Sequence, residues 1–285
     1  MAETKATTAA KAPKLANPRE ASIEVSTQEM IERAQKLQID TVFDRAVTMK
    51  PCAIGLQGIC CKNCAMGPCR LPLPKGGIEG EDTRKGLCGA TANTICARNF
   101  ARMIAAGASA HSDHGRGVVE TFLSVARKET DDYTIKDPAT LNQIAPYFDV
   151  ATTAEVDGET LDRDIDESAL GVAEAAAAEF GKVGGTLAYL KRAPKPLQEK
   201  WKKEGVEPRA IDREVVEIMH RTHMGVDQDY KNLMKQGTRT SLADGWGGAM
   251  IATDLQDVMF GSPSPLQAEA NLGVMKEDHV NVIVH

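Results

Sequence analysis

Six of the seven cysteines in the sequence lie between residues 52 and 88, and this cluster is where the chain could do chemistry. Four of them form the pattern Cys61-x2-Cys64-x4-Cys69, followed by Cys88. Four thiolates that meet in space make a soft, negatively charged site, which suits an iron-sulfur cluster or a zinc ion. Structural zinc sites usually contain two CxxC-like pairs, whereas this pattern contains one, so the spacing favours a four-iron cluster over zinc.

Cys52 and Cys60 form a second set, with the spacing C-x7-C. Two ligands are too few for a four-iron cluster within one subunit, but two chains related by a two-fold axis would supply four. The pair therefore predicts either a cluster shared across a homodimer interface or two buried thiols without a metal. Cys96 shares a predicted helical strip with Phe100 and Met103, so we interpret it as a core residue and not as a ligand.

The composition excludes several classes of protein. A hydrophobic fraction of 42% and a charged fraction of 26% are ordinary for a globular chain, and the net charge of −6 argues against a nucleic-acid partner. No apolar run approaches the ~20 residues that a membrane span needs, and the N-terminus lacks the apolar segment of a secretory signal. We therefore expect a cytoplasmic protein, in which clustered cysteines indicate a metal and not disulfides.

The cysteines lie in a segment without regular periodicity, from Pro51 to Gly89, which glycine and proline interrupt repeatedly. Such a segment cannot build its own apolar core, so we expect a metal cluster to hold it. The rest of the chain favours helix over sheet, since aromatic residues make up only 4% of it. We predict a disordered tail over 1–27, a helical iron-sulfur and dimerisation domain over 28–260, and the start of another domain over 261–285.

Each predicted helix has apolar residues at helical spacing along one face. In the helix after the cysteines, this face consists of Ile95, Phe100, Met103 and Ile104, and Gly107 interrupts the helix. The other predicted helices run from after Ser26-Thr27 to Phe43, from Pro138 with Asp137 as its N-cap, and over about 159–182, 211–223 and 240–259. The last six residues, VNVIVH, predict a buried strand, which is an unusual natural terminus, so we expect the chain to be part of a longer protein.

Six segments, in chain order, resemble the anaerobic nickel-containing carbon monoxide dehydrogenases. They read GLQGICCKNCAMGPCR, KGLCGATANTICARNF, AAGASAHSDHGR, DGWGGAMIATDLQDVMFGSP, EANLGVM and VNVIVH. The adjoining pair Cys60-Cys61 is the most specific part of the resemblance. Members of this family are homodimers in which a helical N-terminal domain precedes two Rossmann-like α/β domains. The resemblance thus implies a mainly α fold that ends in the first strand of a truncated Rossmann-like domain.

The resemblance also implies the cofactors. Three metal groups would be bound through this chain: a 4Fe-4S cluster on Cys61, Cys64, Cys69 and Cys88, a second 4Fe-4S cluster shared across the dimer on Cys52 and Cys60, and a nickel-iron-sulfur cluster whose iron is bound by His285. The remaining ligands of the nickel cluster would lie beyond this chain, so we expect the chain alone to be inactive. The segment LPKGGIEGEDT lengthens the gap before Cys88 relative to the family, and a loop insertion of this kind costs little.

The activity implied by the resemblance is the reversible oxidation of carbon monoxide with water to carbon dioxide, two protons and two electrons. The electrons would leave through the two 4Fe-4S clusters to a ferredoxin-like acceptor. Acetyl-CoA synthase and hydrogenase subunits are the candidate partners. Two alternatives stay open: a hybrid-cluster-type reductase, whose cysteine set lacks the doubled Cys60-Cys61, and a non-catalytic electron-transfer or dimerisation module.

His111 and His114 are spaced three residues apart and would share one face of a helix. In the family that the sequence resembles, a file of histidines at this place carries protons away from the active site, a task that suits the near-neutral pKa of histidine. The next positions at this spacing are Gly117 and Glu120, so a relay here would need water or Glu120. The alternative is a pair on the helix surface beside Asp113.

Overall fold

The computed structural model describes residues 15–49, 51–157 and 159–265. Helices predominate among these residues, which confirms the prediction of a mainly α protein. The predicted VNVIVH strand, and the Rossmann-like domain that it would begin, lie outside the described residues. No helix in the described ranges is both long enough and apolar enough to cross a membrane.

The chain divides into two compact units, the first being Met1–Cys52 with Pro265–His285. Its described helices are α1 (Pro18–Ala21), α2 (Val25–Lys36) and α3 (Val42–Thr48). A single helix up to Phe43 was expected, but Gln38 takes a left-handed φ of 58°, which ends α2. The prediction of a disordered tail over 1–27 is wrong for residues 18–27, because α1 and the start of α2 lie there. Residues 1–14 lie outside the described residues.

The buried carboxylate of Asp44 ties the first unit together. It accepts hydrogen bonds from the backbone amides of Ala16 at 2.9 Å and Thr41 at 3.1 Å, and from the Thr41 hydroxyl at 2.6 Å. The side chain of Gln35 on α2 adds a further bond at 3.3 Å. These bonds, led by that of the Thr41 hydroxyl, lower the pKa of Asp44 to about 2. One ionised side chain therefore joins the segment before α1, α2 and the N-terminus of α3.

The second unit, Ala53–Ser264, contains the cysteine segment and most of the helices. Its elements are α4 (Ala53–Leu56), β1 (Cys60–Cys61), β2 (Cys69–Arg70), α5 (Ala92–Ala126), α6 (Pro138–Ile144), β3 (Thr153–Val156), β4 (Glu159–Asp162), α7 (Ile165–Gly181), α8 (Lys195–Glu204), α9 (Ile211–Arg221), α10 (Tyr230–Ala243) and α11 (Met250–Phe260). Strands β1 and β2 pair antiparallel, as do β3 and β4. The β3–β4 hairpin replaces the first part of the helix predicted over 159–182.

Helix α5 is the central element of the second unit. It contacts α7, α9, α10, α11 and β1, and it runs without a break for 35 residues. The predicted interruption at Gly107 is wrong, because an exposed glycine inside a helix costs only about 1 kcal/mol and the packing of α5 outweighs it. The apolar core lies between α5, α6, α7, α9 and α11; its fully buried side chains include Phe122, Leu141, Val172, Ile211 and Leu255.

The predicted apolar face of α5 is wrong in part. Ile95 is fully buried, but Phe100 and Met103 are 49% and 72% exposed, and Cys96 is exposed as well, so Cys96 is not a core residue. The buried positions of this part of α5 are taken by small residues, Ala97, Ala101, Ala105 and Ala108. Small residues let neighbouring helices approach closely, so α9 and α10 pack against the alanines and the larger apolar side chains lie outside.

A six-residue π-helical turn, Asp244–Ala249, joins α10 to α11 and packs against α5. The backbones of α5 and of the π turn can approach this closely only because Gly115 and Gly248 face each other. A Cβ on Gly115 would lie 2.7 Å from the carbonyl oxygen of Gly248, and a Cβ on Gly248 would lie 2.9 Å from that of His111. The segment DGWGG, which is not followed by the residues of a phosphate loop, thus serves helix packing.

We expect Gly115→Ala to destabilise the protein by about 1–3 kcal/mol, because the backbone of Gly248 cannot move away as a side chain could. Gly107→Ala on the same helix is the matched control: nothing lies within 4 Å of its Cβ, so alanine should stabilise by about 0.5–1 kcal/mol. Urea unfolding followed by circular dichroism measures both changes. Equal stability of the two variants would contradict the close contact between α5 and the π turn.

Candidate metal centre

The short β1–β2 ladder brings two of the predicted ligands together. Cys61 on β1 is the register partner of Cys69 on β2, and the pairing is extended by the amide of Leu71, which donates to the carbonyl of Ile59 at 3.1 Å. Cys61 is only 7% exposed and belongs to a small apolar cluster. The other members of this cluster are Ile59, Leu71, Ala90 and Ile95, with Ile54, Cys69, Cys88 and Ala92 packed against it. Cys61 therefore sits in a water-poor environment at the start of α5, and Cys69 and Cys88 border on it.

Cys64 lies in the turn between the two strands. The amide of Gly67 donates to the carbonyl of Cys64 at 3.3 Å, which closes the turn. A Cβ on Gly67 would lie 3.1 Å from the carbonyl oxygen of Cys61 and 3.2 Å from the nitrogen of Cys69. Only glycine allows the backbone to fold this tightly, so Gly67 brings the three backbone segments that carry Cys61, Cys64 and Cys69 into contact.

Cys88 reaches the same place through a second turn, at residues 86–90. The amide of Gly86 donates to the carbonyl of Ala90 at 2.8 Å, and the amide of Leu87 donates to the sulfur of Cys69 at 3.5 Å. A Cβ on Gly86 would lie 3.2 Å from the Cβ of Cys69, so this glycine permits the approach. Helix α5 begins at Ala92, four residues after Cys88.

Several donors surround the sulfur of Cys88. The guanidinium Nη1 of Arg98 lies 3.5 Å from it, and the amide Nε2 of Gln228 lies 3.8 Å from it. Burial of the thiol opposes ionisation, but bonds from Arg98, from the backbone of Ala90, from Gln228 and from the backbone of Gly225 outweigh it. Together they lower the pKa of Cys88 to about 7. The site thus favours a thiolate, the form that binds metals.

The spacing of the four cysteines fits a four-iron cluster better than a single zinc ion, since it contains one CxxC pair where structural zinc sites usually contain two. Zinc draws its thiolates to within about 2.3 Å of one centre. In a four-iron cluster each cysteine binds a different iron, so the thiolates stay further apart.

Two buried side-chain donors near the cysteines point to a missing acceptor. The Nδ2 of Asn63, between Cys61 and Cys64, and the Nε of Arg98 have no hydrogen-bond partner among the described residues. A buried donor without an acceptor is unfavourable. The sulfur atoms of an iron-sulfur cluster accept hydrogen bonds of this kind. The donor set therefore fits a cluster.

Cys60 and Cys52 occupy different surroundings from the four-cysteine set. Cys60 precedes Cys61 on β1, and successive strand residues face opposite sides, so these two side chains cannot serve one corner of the same cluster. The side chain of Asn99 on α5 donates to the carbonyls of Gly58 at 2.8 Å and Cys60 at 3.1 Å, which fixes this strand to the helix. Cys60 is half-buried and Cys52, in the first unit, is exposed. Their joint role stays a prediction.

His111 and His114 lie on an exposed face of α5, as do Gly117 and Glu120. The Nδ1 of His111 lies 2.7 Å from the Oδ1 of Asp244 in the π turn, an interaction that the sequence spacing did not reveal. The proton relay stays a prediction. The predicted ligand His285 lies outside the described residues.

Sequence reasoning missed Arg98 and Gln228. A signal for Arg98 was present, because it lies on the buried stripe of α5 between Ile95 and Ala101, where a charged residue needs a partner. Gln228 lies 140 residues from Cys88, and only the fold could bring them together.

Comparison with known proteins gives a consistent group of relatives. The chain is 47% identical over 268 residues to carbon monoxide dehydrogenase 1 of Methanosarcina acetivorans, an alignment that covers 93% of this chain and 40% of the relative. It is 35% identical over 280 residues to the carbon monoxide dehydrogenase/acetyl-CoA synthase subunit beta of Moorella thermoacetica, covering 96% of this chain and 40% of that one. The chain thus spans about 40% of the length of these curated relatives.

Solved structures agree in fold. The chain matches an as-isolated, nickel-free carbon monoxide dehydrogenase from Thermococcus sp. AM4 with a TM-score of 0.79 and 49% identity, over 92% of this chain and 40% of that one. It matches carbon monoxide dehydrogenase IV from Carboxydothermus hydrogenoformans with a TM-score of 0.75 and 38% identity, over 93% and 39%. The sequence pattern of the Prismane/CO dehydrogenase family covers residues 59–285. With four fifths of its length inside that pattern, the chain belongs to the Prismane/CO dehydrogenase family.

Proposed function

We propose that this chain is the N-terminal, electron-transferring part of an anaerobic nickel-iron-sulfur carbon monoxide dehydrogenase. The whole enzyme would oxidise carbon monoxide with water to carbon dioxide, two protons and two electrons, and would also run in reverse. The observation that carries the proposal is the meeting of the Cys61–Cys69 pair with the turn that bears Cys88. Sequence identity of 47% to a carbon monoxide dehydrogenase supports it.

The residues of the second unit would hold and shield the first electron carrier. Cys61, Cys64, Cys69 and Cys88 would bind a 4Fe-4S cluster, which when bound accepts and releases single electrons. The apolar cluster around Ile59 and Ile95 buries Cys61 and packs against Cys69 and Cys88. The amide of Leu87 donates to the sulfur of Cys69, and such bonds tune the potential of a cluster.

Cys52 and Cys60 would bind a second 4Fe-4S cluster together with the same residues of a second copy of the chain. Two observations support a subunit interface near Cys60. The sulfur of Cys96 on α5 lies 3.4 Å from the carbonyl of Gly58, so this part of α5 adjoins the strand that carries Cys60. The same helix exposes Phe100 and Met103 next to Cys96, and exposed apolar patches often mark interfaces.

The catalytic nickel-iron-sulfur cluster would be bound by His285 and by ligands beyond this chain. His111 and His114 would move protons away from it, with Asp244 orienting the ring of His111 through its 2.7 Å contact. On this proposal the chain by itself is inactive. The electrons would pass to a ferredoxin-like acceptor in the cytoplasm, and an acetyl-CoA synthase or hydrogenase subunit would be the partner.

A hybrid-cluster-type reductase and a non-catalytic electron-transfer module are the competing functions. The adjoining Cys60-Cys61 pair and the names of the relatives favour the dehydrogenase. Two measurements on the complete natural protein that contains this chain separate the three functions: its nickel content and its rate of carbon monoxide oxidation. Only the dehydrogenase should both bind nickel and oxidise carbon monoxide. A complete protein that binds iron but neither binds nickel nor oxidises carbon monoxide would refute the proposal.

We expect Cys69→Ala to remove about four iron atoms per chain, because a 4Fe-4S cluster needs a ligand at each corner. Cys96→Ala is the matched control, since this exposed thiol lies near the site and donates to the carbonyls of Gln57 and Gly58. Iron and acid-labile sulfide, measured on complete protein purified without oxygen, test the expectation. A Cys69→Ala protein with the full iron content, or bound zinc in place of iron, would rule out the assigned ligand set.

We expect Cys60→Ala to remove about two iron atoms per chain, because a shared 4Fe-4S cluster contributes half its iron to each copy. The signal of the four-cysteine cluster in electron paramagnetic resonance should persist, since Cys61 keeps its own ligand position. Iron analysis together with mass in solution measures the change. An unaltered iron content in Cys60→Ala would show that this residue is no ligand.

A further inference from the structure

Arg98 is a buried cation without a carboxylate partner. Its residue is only 1% exposed, and it forms no ion pair with any residue in the described ranges. A guanidinium that is removed from water needs a counter-charge or a full set of acceptors. Arg98 has neither among the described residues: Nη1 lies 3.5 Å from the sulfur of Cys88, Nη2 donates to the carbonyl of Asp227 at 3.0 Å, and Nε has no acceptor.

We propose that Arg98 is the counter-charge of the four-cysteine cluster and raises the reduction potential of that cluster. The inference rests on the proposed function, because it needs a 4Fe-4S cluster on Cys61, Cys64, Cys69 and Cys88. Four thiolates give such a cluster a net negative charge, and each electron that it accepts makes this charge more negative by one. A nearby positive charge therefore stabilises the reduced cluster more than the oxidised cluster, and this difference raises the potential.

The position of Arg98 makes the effect strong. Burial lowers the local dielectric constant, so a charge next to the thiolate of Cys88 is screened far less than a surface charge would be. Among the described residues, the other hydrogen-bond donors to this thiolate are neutral: the side chain of Gln228 and backbone amides. Arg98 thus supplies the net positive charge at this corner of the site.

The surroundings hold Arg98 in place. The carbonyl of Asp227, which accepts from Nη2, lies in the loop between α9 and α10, and Arg221 binds the carboxylate of Asp227 at 3.2 Å. In the same loop, the carbonyl of Gln228 accepts a hydrogen bond from the hydroxyl of Thr94 on α5 at 2.7 Å. Arg98 is therefore a positioning residue that acts through Cys88. Thr94, which binds the loop that holds the guanidinium, lies one turn before Arg98 on α5.

The test is a redox titration, followed by electron paramagnetic resonance, of the complete protein that contains this chain. Two variants are compared with the wild type: Arg98→Gln, which keeps a donor but removes the charge, and Arg98→Lys, which keeps the charge. Arg102→Gln is the matched control, because this arginine lies one turn further along α5 and binds the hydroxyl of Thr222 at 3.0 Å. We expect Arg98→Gln to shift the midpoint potential of the four-cysteine cluster to more negative values, and Arg98→Lys and Arg102→Gln to leave it near the wild-type value.

Iron content distinguishes the outcomes. A wild-type protein without iron would refute the proposed function and this inference with it. A wild-type protein with the cluster, and an Arg98→Gln variant with the same iron content and the same potential, would refute the inference alone. If Arg98→Gln loses its iron, Arg98→Lys decides: retention of the cluster at the wild-type potential supports the role of the charge, whereas loss of iron in both variants would show that the guanidinium only fills space.

Discussion

The cysteine segment of the second unit depends on one contact, its packing against the first turns of α5. Residues 53–90 contain only a four-residue helix and two two-residue strands, so they cannot form a core of their own. Ile95 on α5 and Ala90 before it complete the small apolar cluster in which Cys61 is buried. Asn99 adds polar bonds to the same backbone. The start of α5 thus gives an irregular segment a defined conformation.

The length of α5 connects this contact to the rest of the unit. Its small residues allow α9, α10 and the π turn to approach closely, and Gly115 permits the tightest of these contacts. The same helix carries Arg98 near its start and His111 further along, so residues proposed to act in electron transfer and in proton transfer belong to one continuous element. A continuous helix rises about 1.5 Å per residue, so the separation of these residues is fixed.

The sequence predicted most helices, because helices leave local signals: Asp137 before Pro138 marked the N-cap of α6. The cysteine spacing pointed to the segment in which β1, β2 and the turn at 86–90 come together, and the ligand set itself stays a prediction. Sequence reasoning failed where close packing decides. Phe100 and Met103 looked like core residues, but alanines take the buried positions of this part of α5. Gln228 and Asp244 were missed because their partners lie more than 130 positions away in the chain. Neither propensity nor periodicity contains such long-range information.

The adjoining cysteines on β1 have a consequence for long-range electron tunnelling. Cys60 and Cys61 face opposite sides of one strand, and their Cα atoms are about 3.8 Å apart across a single peptide bond. Redox groups bound to these two residues would be linked by a short path of covalent bonds. A hinge motion elsewhere in the protein would therefore change the distance between them little. Tunnelling rates fall steeply with distance, so the backbone itself would hold the rate of this step constant.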